Sequence, residues 1–452
     1  AELPQAPAAM LASLQPGGAS PADDTAIRER IESTAGLAIA GEKLHGALLR
    51  QFYAAHNYQP VWPSHEAQAN ALLAAVMRAG EHGLDPGLFH AALLRTPAAL
   101  SPLDRELLLS DAFLAYADAL ARGVLPVEIR MDDEDLRPEP VDVAAVLDSA
   151  IASPDPASAV EALAPHTAAY LALRQALQAY RTEAGTALPE PQPAAAHDGR
   201  RLAAEWTPAA RVREIEINLE RLRWLPRQMP PDRVRVNTAT AELELYRADR
   251  PVTAMRVVVG QFDKQTPEFA TTIDSILFHP PWLVPPSIAR SEILPKLDRD
   301  PGYLARHHMI WRRNGGIEQL PPSALGRLKF EMADRFDVYL HDTPERFLFA
   351  RADRRKSHGC VRVQHPRELA ALLLQQPLAY VDHEIAITGT HSRPLPAAMP
   401  VYIVYQTAFL NSAGKIEFVP DVYQRDAEVW QHLHPMEQAP MAAHAPALER
   451  KG

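Results

Sequence analysis

KSHGCVRV, residues 356–363, contains Cys360, the only cysteine in this chain of 452 residues. A lone cysteine is most often a small buried hydrophobe with no chemical role. Here a histidine, a glycine and an arginine all lie within two residues of the sulfur, and a core cysteine has no need of such polar neighbours. We therefore interpret Cys360 as a nucleophile, because a thiol attacks as its thiolate and needs nearby groups to activate it.

A second histidine, His341, supplies a candidate base for this thiol. It ends the apolar, strand-like run of residues 330–341 and precedes Cys360 by nineteen residues. A neighbouring imidazole can take the proton of a thiol and leave a thiolate–imidazolium pair at neutral pH. The pairing of His341 with Cys360 is therefore the first hypothesis for the chemistry of this chain.

The residues beside Cys360 suggest how a substrate would be held. Gly359 lets the backbone approach a substrate and turn its N–H groups toward a developing oxyanion. On an extended segment His358 shares a side with the thiol, so it could orient the substrate, support the oxyanion site or merely pack. Arg362 suits a substrate carboxylate, because a guanidinium can bind one with two parallel hydrogen bonds; the alternative is a structural ion pair.

These motifs resemble the L,D-transpeptidase catalytic domain of the YkuD type, which cross-links bacterial peptidoglycan. The likeness lies in a histidine on a strand, a gap, and then Ser-His-Gly-Cys-Val-Arg-Val. Other stretches resemble the large, YcbB-like periplasmic branch of that family: residues 211–225, 255–269, 279–296, 300–306, 402–407 and 414–426. The close resemblance covers about half of the chain, and the helical first half matches more loosely.

The resemblance implies a role for each residue of the site. Cys360 is the implied nucleophile and His341 the base, oriented by the backbone carbonyl of Asp342. The Cys360 backbone N–H, with Tyr339 or His358, would form the oxyanion site next to Gly359. Substrate contacts are expected from Tyr339, Arg362, Ser357 and Trp282.

The implied reaction is ping-pong acyl transfer from a tetrapeptide donor stem to a side-chain amine of a second stem, which makes a 3-3 cross-link. Carbapenems are expected to acylate Cys360, and other wall-synthesis proteins are possible partners. If water resolved the thioester instead, the protein would be an L,D-carboxypeptidase or a hydrolase of cross-links or lipoprotein links, and the sequence leaves this open. A non-catalytic wall-associated scaffold is disfavoured, because the thiol motif is intact.

Composition indicates a soluble, globular chain of two or three domains. Hydrophobic residues make up 47% and charged residues 23%, as in ordinary folded domains. The net charge of −10 and the pI near 6.0 argue against a nucleic-acid partner. No apolar run approaches the roughly 20 residues that span a bilayer. With the family resemblance, the start without an initiator methionine leads us to expect a periplasmic protein whose signal peptide has been removed.

Hydrophobic periodicity predicts an α+β multidomain chain, with an all-α scaffold followed by a mostly β catalytic domain. The expected segments are a flexible leader (1–23), the helical scaffold domain (24–185), a Pro/Ala linker (186–206), the catalytic domain (207–430) with a capping insertion at about 280–328, and a tail (431–452). YcbB-like relatives usually carry a peptidoglycan-binding module where this chain has only the linker. Direct anchoring to the wall is therefore not expected.

Four predictions concern individual helices and strands. Pro102–Arg122 is predicted as a helix, since Ser101 precedes a proline at the first helical position and Gly123 follows the last turn. In the catalytic half, residues 330–341 are predicted as one strand and Ser287 as the cap of a short helix. Residues 401–407 and 415–419 are predicted to form a closing hairpin.

The remaining histidines do not predict a metal site. His432, His434 and His444 lack a carboxylate or cysteine at metal-ligand spacing. The pair His307-His308 is no better placed. We therefore expect neither a metal nor another cofactor.

Overall fold

The computed structural model describes residues 21–33, 37–130, 136–187, 206–333 and 335–435. These residues form two compact units. The first comprises the described residues of Ala1–Ala79, Asp85–Ala119 and Val141–Leu163, and the second those of Gly80–Leu84, Leu120–Pro140 and Ala164–Gly452. No helix among the described residues has both the length and the apolar character that crossing a membrane requires.

The first unit is helical, as the sequence predicts. Its elements are α1 (Pro21–Glu32), the short strands β1 (Ala38–Ile39) and β2 (Glu42–Lys43), α2 (Gly46–Ala55), α3 (Glu66–Met77), α4 (Ala91–Leu94), most of α5 (Pro102–Arg122), α6 (Val143–Ile151) and α7 (Pro156–Glu161). The predicted bounds of α5 are confirmed. Its first turn is capped by Ser101, whose hydroxyl accepts a hydrogen bond from the Asp104 N–H at 3.0 Å.

Two helices, α8 (Ala168–Ala184) and α9 (Pro208–Arg223), pack together in the second unit. Arg223 joins them, since its fully buried guanidinium donates to the Tyr170 hydroxyl of α8 at 3.0 Å and to Glu220 at 2.8 Å. The predicted start of α9 is confirmed, with the Thr207 hydroxyl accepting from Ala210 N at 3.0 Å. The compact unit therefore groups α8 with the catalytic part, whereas the sequence assigns it to the scaffold.

A nine-stranded mixed sheet forms the body of the second unit. Its strands are β3 (Arg233–Asn237), β4 (Glu242–Arg247), β5 (Arg250–Gly260), β6 (Phe269–Phe278), β10 (Leu328–Met332), β11 (Leu340–His341), β12 (Arg355–Ser357), β13 (Val361–Val363) and β14 (His391–Val404). They lie in the order β12-β5-β13-β11-β10-β6-β14-β3-β4. Because β5 also pairs with β4, the sheet curls back on itself. Helices α13 (Pro366–Leu374) and α14 (Leu378–Ala386) contribute to its core.

Residues 330–341 form two strands, so the prediction of a single strand is wrong. Strand β10 ends at Met332, and β11 returns antiparallel to it over Leu340–His341. Between them Asp337 has a φ of 55°, a left-handed conformation that breaks an extended run. This reversal has a functional consequence, because it places β11 directly beside β13.

The predicted closing hairpin is wrong in its first strand. Residues 401–404 continue β14, which is held between β3 and β6, because these side chains are buried on both faces of the sheet. The hairpin instead pairs β15 (Ala408–Leu410) with β16 (Ile416–Phe418). The turn between these strands contains Gly414, whose φ is 73°.

Residues 282–319, which we call the capping segment, are ordered around a small core of their own. They contain β7 (Trp282–Val284), α10 (Pro286–Ile288), a π-helical turn (Ala289–Ile293), α11 (Leu294–Arg299), α12 (Tyr303–Arg306), β8 (Met309–Trp311) and β9 (Ile317–Gln319). The strands form a sheet in the order β7-β9-β8. Its buried apolar side chains are Val284, Ile288, Ile293, Leu304, Met309 and Ile317. Ser287 lies inside α10 and Pro285 caps it, so the predicted cap is wrong by two residues.

The predicted leader, linker and tail fall largely outside the described residues. Helix α1 begins at Pro21, so its first three residues lie within the predicted leader. Helix α15 (Asp426–Leu433) extends three residues into the predicted tail. The order of a helical part followed by a mostly β part is confirmed.

Candidate active site

The register of two short strands assembles the candidate site. Strands β11 and β13 are parallel, with Leu340 opposite Val361 and His341 opposite Arg362. The pairing extends one step back, since Val361 N donates to the Tyr339 carbonyl at 3.0 Å. Side chains alternate between the faces of a strand, and Leu340 and Val361 are fully buried in the core. The opposite face therefore carries Tyr339, His341, Cys360 and Arg362 on strands spaced about 4.8 Å apart.

The turn that presents Cys360 is held from inside the protein. Gly359 has a φ of 118°, which a residue with a side chain adopts only with strain. The Gly359 carbonyl accepts from the buried Thr266 hydroxyl at 2.7 Å. The Ser357 hydroxyl donates to the Cys360 carbonyl at 2.6 Å and accepts from Gly359 N at 3.2 Å. These bonds fix the backbone on both sides of the thiol.

Ser357 does not reach the substrate side of this turn. Its side chain is buried, with 2% exposed, and its hydroxyl is occupied by the backbone of Cys360 and Gly359. The structure thus gives the Ser357 hydroxyl backbone partners, and the substrate contact expected from Ser357 stays a prediction. Its role is to shape the turn, because a buried hydroxyl that satisfies two backbone groups fixes their geometry.

His341 is buried and held as a neutral imidazole. Its Nδ1 atom lies 2.5 Å from the Asp342 carbonyl oxygen, the contact that the resemblance implies. Burial lowers the pKa of His341 to about 3, with a further lowering by the Arg362 charge, while hydrogen bonds to the backbone of Asp342 and Leu325 oppose the shift. At neutral pH the ring can therefore accept a proton. A resting thiolate–imidazolium pair is disfavoured.

Asp342, the backbone partner of His341, is itself anchored. Its carboxylate accepts from Arg327 N at 2.9 Å, from Thr343 N at 2.7 Å and from the Arg346 guanidinium at 3.0 Å. Gly326 is required beside it, since a Cβ there would lie 2.5 Å from the Asp342 side chain. Three hydrogen bonds thus hold the Asp342 side chain, next to the backbone carbonyl that contacts His341.

Tyr339 and Trp282 lie together next to the thiol. Burial raises the pKa of Tyr339 far above its usual range, and the charge and hydrogen bond of Cys360 add to this, although a hydrogen bond from Trp282 opposes it. The Tyr339 hydroxyl therefore keeps its proton and can donate it in a hydrogen bond. Trp282 thus reaches Tyr339 from the capping segment. The Tyr339 ring also packs edge to face on His341, with centroids 5.6 Å apart.

Arg362 is paired within the protein. Its Nη1 donates to the Glu345 carboxylate, which is the structural alternative to a substrate contact. Its buried Nε has no hydrogen-bond partner among the described residues. The guanidinium lies close enough to His341 to lower the pKa of that ring.

His358 points toward the capping segment. Its Nε2 atom lies 2.5 Å from a Glu292 carboxylate oxygen, and Lys264 Nζ lies 3.6 Å from the same oxygen. Partial burial works against ionisation of Glu292, but His358 and then Lys264 outweigh it and hold the pKa of Glu292 below its usual range. Sequence reasoning missed Glu292, Glu345 and Thr266, because all three are distant in the chain and none belongs to a local motif.

The described part of the chain contains no group of three or more His, Cys, Asp or Glu side chains suited to a metal ion. His432 Nδ1 contacts the Glu428 carbonyl at 3.0 Å, and His434 pairs with Glu216 at 2.8 Å. The third histidine of that group, His444, lies outside the described residues. The two described histidines thus have partners of their own.

Two family models match the chain in separate places. Residues 47–177 match a scaffold domain, and residues 231–403 match the L,D-transpeptidase catalytic domain, YkuD. A Haemophilus influenzae protein named "Putative L,D-transpeptidase" is 31% identical over 242 residues, which are 48% of this chain and 49% of that protein. The chain thus spans about half the length of this curated relative.

Solved L,D-transpeptidases align over a similar share of the chain. The catalytic domain from Enterococcus faecium, acylated by ertapenem, is 12% identical and covers 39% of this chain and 99% of its own, with a TM-score of 0.22. The enzyme from Mycobacterium smegmatis is 13% identical and covers 38% of this chain and 58% of its own, with a TM-score of 0.24. Structural similarity this low does not identify a function, and the likeness to L,D-transpeptidases rests on the sequence matches. Residues 231–403 are thus similar in sequence to the L,D-transpeptidase catalytic domain, YkuD, and they follow a stretch that is similar to a scaffold domain.

Proposed function

We propose that this protein is a peptidoglycan L,D-transpeptidase that forms 3-3 cross-links through a cysteine acyl-enzyme. The observation that carries the proposal is the register of β11 and β13, which puts Tyr339, His341, Cys360 and Arg362 on one face of the sheet. A nucleophile, a neutral base and a hydrogen-bond donor on one face are the groups that acyl transfer requires.

The first half-reaction forms a thioester. The Cys360 sulfur attacks the carbonyl between the third residue of a tetrapeptide donor stem and its terminal D-alanine, while His341 takes the thiol proton. The same proton then passes to the leaving nitrogen, the C–N bond breaks, and D-alanine departs. The low pKa of His341 supports proton transfer during attack, because the ring is neutral before it.

The oxyanion that forms in this step needs donors placed in advance. We assign the Cys360 backbone N–H and the Tyr339 hydroxyl to it, with His358 as the alternative second donor. Tyr339 suits the role because its raised pKa keeps the O–H intact, and because the Trp282 contact holds the ring in place. Gly359 keeps the backbone at this position in the required conformation.

Arg362 is proposed to orient the substrate carboxylate and to keep His341 neutral. The unpartnered Nε supports the first role, although Glu345 already holds Nη1. The effect on His341 supports the second role. A carboxylate that displaced Glu345 would gain a charge-assisted hydrogen bond at this guanidinium.

The second half-reaction transfers the acyl group to the side-chain amine of an acceptor stem, and the amine nitrogen replaces the sulfur at the carbonyl carbon. Water in place of the amine would make the protein an L,D-carboxypeptidase or a hydrolase of cross-links or lipoprotein links. Peptidoglycan lies outside the cytoplasmic membrane, so the proposed place of action is the periplasm. Recruitment by other wall-synthesis proteins, and membership of the YcbB-like branch without a wall-binding module, remain predictions.

The test is incubation of the full chain with a purified disaccharide-tetrapeptide, followed by mass spectrometry of the products. We expect a dimer with the mass of two stems less one D-alanine, and none from Cys360→Ala. Monomers that lose D-alanine without forming a dimer would point to the hydrolase. Intact-protein mass spectrometry should also detect one carbapenem bound to Cys360 of the wild type.

A further inference from the structure

The capping segment touches the residues on both sides of the nucleophile. Trp282 hydrogen-bonds to Tyr339, which in turn contacts Cys360. Ten residues after Trp282, Glu292 accepts a hydrogen bond from His358 at 2.5 Å. The capping segment therefore contacts two different neighbours of the thiol, Tyr339 and His358. Glu292 lies outside the sequence motif around Cys360, to which its partner His358 belongs.

The local backbone explains why Glu292 points toward the site. Pro295 has no N–H to donate to the Ser291 carbonyl four residues before it, so a regular α-helix cannot continue through this point. The chain forms a π-helical turn over Ala289–Ile293 instead, a feature that often occurs at functional sites. Ile288 and Ile293 on either side of Glu292 are buried in the capping core. Glu292 is thus held on a fixed turn, with its carboxylate outside that core.

Charge makes the contact with His358 specific. The Glu292 side chain is 36% exposed and that of His358 is 30% exposed, so neither is trapped by burial. Lys264 lies on the same carboxylate oxygen, and the two partners hold the pKa of Glu292 below its usual range against the effect of partial burial. A charged acceptor at this place therefore determines where an otherwise exposed imidazole points.

We propose that Glu292 is a positioning residue for the reaction: it fixes the imidazole of His358 beside Cys360 when the capping segment is closed. The inference rests on the proposed function and adds a residue to the same site. An imidazole held in advance orients the substrate, or supports the oxyanion, at less entropic cost than a freely rotating one. Closing the capping segment then completes the site. In the same closed position, Trp282 fixes the ring of Tyr339.

The experiment is a double-mutant cycle on the full chain with Glu292→Gln, His358→Gln and the combined variant. D-Alanine release from a disaccharide-tetrapeptide measures thioester formation. Each single variant should lower the rate about tenfold, and the combined variant should be no slower than His358→Gln alone. Glu292→Asp, which keeps the charge, should recover part of the rate. The matched control is Asp298→Asn, an exposed carboxylate on α11, which should leave the rate unchanged.

Alkylation of Cys360 by iodoacetamide separates this inference from the proposed function. A wild type that releases no D-alanine would refute the function, yet alkylation would still test the contact. Glu292→Gln and His358→Gln should then lower the alkylation rate by the same factor, and the combined variant should lower it no further. Three results would overturn the role of Glu292. The effects of the two single variants on the alkylation rate could multiply in the combined variant, or Glu292→Gln could be alkylated as fast as wild type, or faster.

Discussion

The catalytic sheet and the capping segment both place side chains around Cys360, but they differ in how firmly they are held. The described core of the sheet contains 29 buried residues, most of them fully inaccessible. The described core of the capping segment contains six buried residues, and each keeps 2–8% of its surface exposed. A small core supplies little stabilisation, so the capping segment should open at a lower free energy than the sheet. The proposed nucleophile and base therefore lie on the part with the larger core, and the proposed positioning contacts come from the part that we expect to open more easily.

The largest effect is expected from the nucleophile on the sheet. Cys360→Ala should lower cross-linking at least about a thousandfold, because all of the covalent chemistry passes through this sulfur. The melting temperature should stay within about 2 °C, since the thiol is only partly buried and its contact to the Asp337 carbonyl, at 3.8 Å, is long. Muropeptide analysis and thermal melting measure the two quantities. Cross-linking that survives in Cys360→Ala would refute the mechanism.

The base on the sheet should come next. His341→Gln is expected to slow thioester formation about 10²–10⁴-fold, because the thiol loses its proton acceptor. Wild-type kcat/KM should show no acid limb from His341 until the pH falls toward about 3, where the buried ring finally binds a proton. The pH profile of D-alanine release measures this. An acid limb near pH 6.5 that disappears in His341→Gln would contradict a neutral, buried base.

The same residue ties stability to pH. The unfolded chain binds a proton at His341 below about pH 6.5, whereas the folded chain does so only near pH 3. Between these values the unfolded state holds more protons, so the free energy of unfolding should fall as the pH is lowered from 6.5 toward 3. His82, whose burial and neighbouring Arg174 and Arg223 lower its pKa to about 3, adds to the same trend. Urea unfolding of His341→Gln should show a weaker dependence on pH over this range than wild type.

A smaller effect, on exchange rates, tests the difference between the two regions directly. Backbone amides of the capping sheet, such as Ile310 and Gln319, should exchange hydrogen about tenfold faster or more than the core amides Val258 and Ile403. Hydrogen-exchange mass spectrometry on the full chain measures this at peptide resolution. Formation of the acyl-enzyme should slow exchange in the capping segment more than in the sheet. Equal protection of the two regions in the free protein would remove the argument for a movable capping segment.

The smallest effect is expected at Arg362. Arg362→Gln removes the cation near His341, so the pKa of His341 should rise and the acid limb of kcat/KM should move up by about one pH unit. The rate at neutral pH should fall only several-fold. Glu345→Gln is the matched control, because it breaks the ion pair yet keeps the cation near the base. If both variants shifted the acid limb equally, the ion pair rather than the Arg362 charge would set the pKa of His341.

Local sequence predicts the elements whose signals lie within a few residues. The bounds of α5 and the start of α9 follow from a capping hydroxyl and a proline at the first helical position. The prediction fails where pairing across the sheet decides the outcome. Residues 401–404 were equally compatible with a hairpin, and their burial between β3 and β6 made them part of β14.

The sequence by itself determined which reactive groups the site has: one thiol, a glycine, a histidine and an arginine within two residues of it, and a second histidine nineteen residues before it. These identities follow from local composition, because reactivity is a property of side chains and their nearest neighbours. Only the tertiary structure decided which groups meet. The reversal at Asp337 and the register of β11 against β13 put His341 on the same face of the sheet as Cys360, nineteen residues later in the chain. The π-helical turn brings Glu292 to His358 across sixty-six. Such contacts depend on burial and strand pairing summed over the whole unit, which no short stretch of sequence contains.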